Sequence, residues 1–207
     1  PDGAYVIRSA HSIDDAIGNG NGTAEFGESF NINLSLQNVG NANATNVVAT
    51  ITTTDPYVIS LTQAGNVPFG TIEPDQIVVS SQKFLVEMAE NTPNQHLVNF
   101  DLTIQDGSKA VYNSTLNFRV NAPVFTVSEI LVNDSEGGDN NGRLDPGETA
   151  QLIFKTKNTG NALANAPEAW FDANSPYLSI EADNITATQI AAGETVDVAF
   201  TVTAHPS

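Results

Sequence analysis

The 207-residue chain has no cysteine, one methionine and one tryptophan, and sets seven Lys and Arg against 24 Asp and Glu. Without a thiol there is no cysteine nucleophile, no zinc–thiolate centre and no disulfide staple. A formal charge of −17 repels a phosphate backbone or an anionic membrane, so nucleic acid is not an expected partner and metal cations are. No stretch approaches the run of about 18 apolar residues that marks a membrane span, so membrane insertion is not expected. The chain opens at Pro1 with neither Met nor a secretory h-region, and reads as a processed or excised piece of something longer. Hydrophobic residues make up 40% and charged residues 15%, too apolar a mixture for a disordered tail, and a soluble globular protein is expected.

What is present is a repeat. Residues 14–28 read DDAIGNGNGTAEFGE and residues 134–148 read DSEGGDNNGRLDPGE. Matched without gaps, Asp14, Asn21, Gly22 and Glu28 stand 120 positions before Asp134, Asn141, Gly142 and Glu148. The same offset carries Asn38, Gly40 and Asn41 onto Asn158, Gly160 and Asn161, and Pro56-Tyr57 onto Pro176-Tyr177. A frame shared over so long a stretch is a module duplication.

Between the turns the apolar period is two. Phe30, Ile32, Leu34 and Leu36 alternate with polar residues, as do Val98, Phe100, Leu102 and Ile104, and Val196, Val198, Phe200 and Val202. No stretch has helical spacing, and Asp106-Gly107 marks a hairpin. The pattern predicts an all-β fold of two tandem Ig-like antiparallel β-sandwich modules, residues 1–121 and 122–207, joined at Asn121-Ala122-Pro123. Phe84 aligns with Phe200, which leaves the second module without counterparts of HLVNFDLTI and AVYNSTLNFRV, its last two strands. Either the piece stops short of them, or another chain or segment donates them to the open edge.

The repeated loops are rich in oxygen ligands: Asp14, Asn19, Asn21, Glu25 and Glu28 in the first, Asp134, Asp139, Asn141, Asp145 and Glu148 in the second. A hard cation such as calcium takes about six to eight oxygens from carboxylates, amides and backbone carbonyls, and the loop glycines let the chain curl around it. Magnesium fits less well, because it keeps its waters and demands a strict octahedron. The spacing at Asp139, Asn141 and Asp145 is like the start of an EF-hand, but the flanks are strands and Glu148 arrives too early. Asn, Asp and Gly are also the commonest turn formers, and a single such loop would need no ion. Two copies with oxygens at five matched places, and little positive charge to balance them, predict two calcium sites, one per module.

The pattern D…GN-x-NG-x-x-(E/D)-x-GE, followed by a strand ending N-x-GN, resembles the Ig-like accessory modules of secreted bacterial proteins. These occur notably downstream of gingipain-type cysteine peptidases and of some secreted subtilisin-like peptidases. The resemblance covers nearly all of residues 1–207 and implies a β-sandwich, a secreted or cell-surface location in a Bacteroidetes-like bacterium, and a parent protein with a catalytic domain of its own. Copy one departs from it at Ala24 and Phe26, where copy two has Leu144 and Pro146. The implied role is a non-catalytic, calcium-stabilised spacer whose partners are the neighbouring domains of the same polypeptide, and protein or glycan at the cell surface. An adhesin or carbohydrate-binding module, with Trp170, Phe171 and Tyr177 as a stacking platform, and a strand-accepting subunit of an extracellular assembly are the alternatives.

No catalytic constellation emerges. There is no G-x-S-x-G elbow, His11, His96 and His205 belong to no H-E-x-x-H pair, and Gly18-x-Gly20-x-Gly22 precedes no helix. The matches to the N-glycosylation pattern, among them Asn21-Gly-Thr23 and Asn113-Ser-Thr115, are those an Asn/Thr-rich chain collects by chance.

Overall fold

The computed structural model describes residues 2–62 and 65–206, which are all-β, with no helix. Two compact units divide the chain, Pro1–Asn121 and Ala122–Ser207. None of the described residues lies in a helix long and apolar enough to cross a membrane.

The first unit contains β1 (Val6–Asp14), β2 (Ser29–Asn38), β3 (Ala44–Thr52), β4 (Val58–Thr62), β5 (Val67–Ile72), β6 (Ile77–Val79), β7 (Phe84–Met88), β8 (His96–Gln105) and β9 (Val111–Val120). One antiparallel sheet has the order β1-β2-β7-β4 with β6 also on β2, and the other runs β5-β3-β8-β9. Period-two patterning fixes which faces meet: Phe30, Ile32, Leu34 and Leu36 from β2, and Val98, Phe100, Leu102 and Ile104 from β8, are all at most 1% exposed. Together with Phe84, Val86 and Met88 of β7 they form a continuous apolar core, a sandwich in which Phe30 and Phe100 both pack on Phe118. Truncating a buried aromatic such as Phe100 to Ala costs about 3–5 kcal/mol. The β8–β9 hairpin turns through Asp106–Ala110, with Lys109 rather than Gly107 at positive φ. The run QIVVSSQKFLVEM is two strands, β6 and β7, interrupted at residues 80–83.

The second unit contains β10 (Phe125–Asn133), β11 (Thr149–Asn158), β12 (Glu168–Trp170), β13 (Leu178–Ile180), β14 (Asn184–Thr186) and β15 (Thr195–Ala204). Its sheet β10-β11-β15-β13 repeats β1-β2-β7-β4, down to the register: Ile32 faces Phe84, and Leu152 faces Phe200. The second sheet is reduced to β12-β14. Burial records the difference, since the apolar positions of β2 are fully buried whereas Leu152 and Phe154 on β11 are only half-buried.

Candidate metal centre

Each loop leaves the first strand of its unit, curls, and enters the second strand at a glutamate. In unit one Glu28 directly precedes β2, and its carbonyl accepts the N–H of Met88 at 2.9 Å. In unit two Glu148 directly precedes β11, and its carbonyl accepts the N–H of Ala204 at 2.8 Å. Each glutamate is thus fixed by the sheet, and each turns its carboxylate back under the loop: Oε1 of Glu28 accepts the N–H of Asn19 at 2.8 Å, and Oε1 of Glu148 accepts that of Asp139 at 3.1 Å. The chain can come this close because Gly18 and Gly138 have no side chain; a Cβ on either would collide with the glutamate carboxylate.

The hub of the second loop is Asp134, 1% exposed. Its carbonyl accepts the N–H of Gly138 at 2.8 Å, and its carboxylate accepts those of Asn141 at 2.9 Å and Gly142 at 3.2 Å. Gly142 turns at φ 77°, and its counterpart Gly22 at φ 82°, a region that favours glycine. Asn141 donates its side-chain amide to Asp145 at 2.8 Å, and the N–H of Asp145 reaches Oε2 of Glu148 at 3.1 Å. Among the described residues, one group of at least three acidic side chains brings its ligand oxygens within 4.8 Å of one another: Asp134, Asp139 and Glu148. These three could hold a metal ion.

The first loop has the same frame with one correction. Its hub is Asp15, 4% exposed, whose carbonyl accepts the N–H of Gly18 at 2.7 Å and whose carboxylate accepts that of Gly22 at 3.0 Å. Asp14, matched to Asp134 by the ungapped repeat, lies at the end of β1 opposite Asn31, where unit two has Asn133 opposite Gln151. Its carboxylate turns outward to Lys83, whose ammonium, with the N–H of Ala16, holds it below the ordinary carboxylate range. The bulges agree, at Ser9 in β1 and Ser128 in β10, so the first strands match at an offset of 119 and unit two gains one residue between Asp134 and Gly138. The doubled Gly137-Gly138 against a single Gly18 was the sequence trace of that insertion.

Asn19, Asn21, Glu25 and Glu28 do gather. The amide groups of Asn19 and Asn21 donate to the two oxygens of Glu25 at 2.7 and 2.8 Å, and Asn21 Oδ1 accepts from the N–H of Thr23 at 2.8 Å. Glu25 is 7% exposed and held by the backbone, since Ala24 and Phe26 bond to Asn121 on either side of it. The position of Asp139 is taken by the neutral Asn19, so this loop offers fewer acidic groups. Its Glu28 Oε2 is buried without a hydrogen-bond partner. Burial, and then the neighbouring charges of Glu25 and Asp15, push the Glu28 carboxyl above its ordinary range against the Asn19 hydrogen bond. A carboxylate oxygen shut from water with no donor is a site that fits a cation.

A second repeated device was visible only as matching letters. Asn38 and Asn158, both fully buried, donate their amides to the carbonyls of Ala42 and Ile72, and of Ala162 and Ile190. Each Oδ1 accepts the N–H of the strand entering the unit, Tyr5 at 3.1 Å and Val124 at 3.2 Å. Gly40 and Gly160 sit against that incoming backbone, with no room for a Cβ.

The three histidines are dispersed: His11 bonds Arg8, His96 lies 2.8 Å from Asp55, and His205 lies 2.7 Å from Ser179. Trp170 and Tyr177 are 68% and 65% exposed, but Phe171 turns inward onto Phe154 and Phe200, so the three aromatics are not one platform.

No family model matches the chain, and no curated protein matches it. Among solved structures it is similar to the secreted serine protease VesC from Vibrio cholerae, at 12% identity and a TM-score of 0.30. The match takes in 87% of this chain and spans 43% of that protein's length. A likeness this low carries no argument about function.

Proposed function

We propose that the chain is a non-catalytic pair of calcium-stabilised, Ig-like modules, serving as a spacer or accessory region of a larger secreted or cell-surface bacterial protein. The observation that carries this reading is the convergence of Asp134, Asp139 and Glu148 on one point at the head of β11. The same frame built by Asp15, Asn19 and Glu28 at the head of β2, with its partnerless Glu28 Oε2, supports a second and weaker site. In each, Asp and Glu would supply carboxylate oxygens, and the ion would cancel the repulsion between them and clamp the loop to the first sheet. Neighbouring domains of the same polypeptide are the natural partners of such a spacer.

The test is a pair of measurements on the full chain: calcium titration calorimetry, and thermal unfolding in calcium, magnesium and chelator. Two unequal calcium sites and a calcium-selective rise in melting temperature are expected. At free calcium 100 times the dissociation constant the gain is about 2.7 kcal/mol per site. No heat of binding and identical melts in all three media would remove the reading.

An adhesin or carbohydrate-binding role is the second reading, favoured by the exposure of Trp170 and Tyr177. Specific binding on a glycan array that is lost in Trp170→Ala would support it.

A further inference from the structure

β1 and β9 are end strands of the two sheets of unit one, and they border one side of the sandwich. Residues directly opposite on antiparallel strands point to the same face of the sheet. Arg8 stands opposite Leu36 and His11 opposite Leu34, and both leucines are fully buried. A guanidinium and an imidazole are therefore directed between the sheets, where an aliphatic pair would be the ordinary choice. Unit two shows that the fold does not require them. There Val127 stands opposite Thr156 and Ile130 opposite Phe154, in the places of Arg8 and His11.

The guanidinium is held at one nitrogen and unfulfilled at another. Nη1 of Arg8 can only donate, so it donates to Nδ1 of His11 at 3.1 Å, and Nε2 of the same ring donates to the Asn117 carbonyl at 3.1 Å. Both ring nitrogens are thereby used, and the imidazole is a strut from β9 that fixes Arg8 in place. The Nε–H of Arg8 is buried without a hydrogen-bond partner. Lys83 and Lys155 pair with Asp14 and Asp197, but among the described residues no carboxylate forms an ion pair with Arg8. In a chain with 24 acidic residues against seven Lys and Arg, an inward guanidinium left without an acid is an exception that the protein's own groups do not resolve.

Beside it lies a cavity of about 240 Å³ between β1 and β9, whose lining includes Tyr5, Arg8, Tyr112 and Ser114. Ser114 stands opposite the buried Leu102, so its hydroxyl is directed inward from β9 as Arg8 is from β1. The rings of Tyr5 and Tyr112 meet edge to face, with centroids 5.4 Å apart, and form an aromatic wall.

We infer that this cavity is a binding site for a small organic acid with one carboxylate, of the size of a single sugar acid, anchored by Arg8. A guanidinium offers paired N–H donors that match the two oxygens of a carboxylate. Ser114 adds a hydroxyl that can donate or accept, and the tyrosine wall packs against a carbon skeleton. Size follows from the volume, which is below the roughly 300–1,000 Å³ of pockets that take drug-sized ligands. The single charge follows from Asp106, whose carboxylate accepts the Tyr112 hydroxyl at 3.1 Å, and from the −17 of the chain. Both oppose a dianion such as sulfate. The inference is independent of the calcium reading, since no residue of the acidic loops lines the cavity.

The experiment follows the arginine Nε–H and backbone amide signals of the isotope-labelled full chain by NMR at neutral pH. The probes are glucuronate, acetate, glucose and sulfate, at constant ionic strength. A saturable shift of the Arg8 Nε–H and the Ser114 amide is expected with glucuronate, a weaker one with acetate, and none with glucose. Sulfate should bind roughly tenfold more weakly than glucuronate. Arg8→Val copies the residue that unit two carries at this position, so it is expected to fold and to lose the glucuronate shift at Ser114. Ser114→Ala should retain binding, weakened by roughly two- to tenfold. The inference is overturned if acetate, glucose or sulfate binds as well as glucuronate, or if Arg8→Val or Ser114→Ala binds as the parent does. It is also overturned if no probe gives a saturable shift, a result that would leave Arg8 as an inward charge guarding an edge strand.

Discussion

Glu28 accepts the backbone N–H of Asn19 at 2.8 Å through one carboxylate oxygen and buries the other without a partner. Glu148 makes the same bond to Asp139, a residue that brings a carboxylate of its own. The two loops share a frame and differ by one charge in the shell an ion would meet. Asn19→Asp should therefore strengthen calcium binding in the first module by roughly tenfold, the scale of one charge-assisted contact. In chelator the same substitution should lower the melting temperature, because it adds a carboxylate beside a glutamate already pushed up by burial and by Glu25 and Asp15. Calorimetry and melts on the single variant check both signs, and a change of the same sign in both media would contradict the cation reading.

The sandwich was legible because period-two alternation over β2 and β8 survives as complete burial of Phe30, Leu34, Phe100 and Leu102. Gathering of Asn19, Asn21, Glu25 and Glu28 was legible for a similar reason, since a short loop between two fixed strands has few places to put its side chains. Asp15 was hidden because matching letters without a gap rewards Asp14, and only strand register shows which of two adjacent aspartates faces the loop. Sequence proximity alone offered Phe171 as a platform partner of Trp170 and Tyr177; those two are exposed, whereas the alternation begun in β12 turns Phe171 inward onto Phe154 and Phe200. The role of Asn38 and Asn158 depends on a chain entering from far away in sequence, which no local pattern encodes.

Gly18 and Gly138 owe their place to the glutamate behind them rather than to a positive φ, since a Cβ on either meets the Glu28 or Glu148 carboxylate. Gly138→Ala sets a Cβ 2.9 Å from both the Asp134 Cβ and the Glu148 carboxyl carbon, so one of these two groups must move and the substitution should weaken the tighter calcium site. Gly20, where a Cβ would meet nothing, is the control in the first loop: Gly20→Asn, which tolerates its φ of 75°, should leave calcium binding unchanged. Titration calorimetry on the two variants decides it; equal binding by Gly138→Ala and the parent would show that the close approach is incidental.

Asp106 contributes a pH dependence to the first module. Burial pushes its carboxyl up, but hydrogen bonds from Ser108, Ala110 and Tyr112 outweigh burial and hold it below the ordinary carboxylate range. A group lowered in the folded state contributes stability above its unfolded value, about 3.9, and loses it as pH falls through the folded value. Asp106→Asn should therefore be less stable than the parent at neutral pH by roughly 1–2 kcal/mol, and the gap should close on acidification below pH 4. Urea unfolding at a series of pH values measures it, and a gap that is constant with pH would assign the difference to packing rather than charge.

Asn158 makes four hydrogen bonds through its side chain in the second module. Fully buried, it donates to Ala162 at 2.9 Å and Ile190 at 3.1 Å, and accepts from Gly160 at 3.0 Å and Val124 at 3.2 Å. Asn158→Ala leaves the buried Ala162 carbonyl and Gly160 N–H, and the part-buried Val124 N–H, to find other partners, while the Ile190 carbonyl keeps the N–H of Ala164; the change should cost about 3 kcal/mol, a large part of a marginal domain's stability. Asn158→Asp keeps the acceptor but sets a negative charge against the two carbonyls, and should cost at least as much. Because the hub ties the entering strand at Val124 to the loop at Ala162, hydrogen exchange at the Val124 and Gly160 amides should accelerate in both variants. Denaturation midpoints within about 0.5 kcal/mol of the parent, with those amides still protected, would mean that the backbone holds this corner without the side chain.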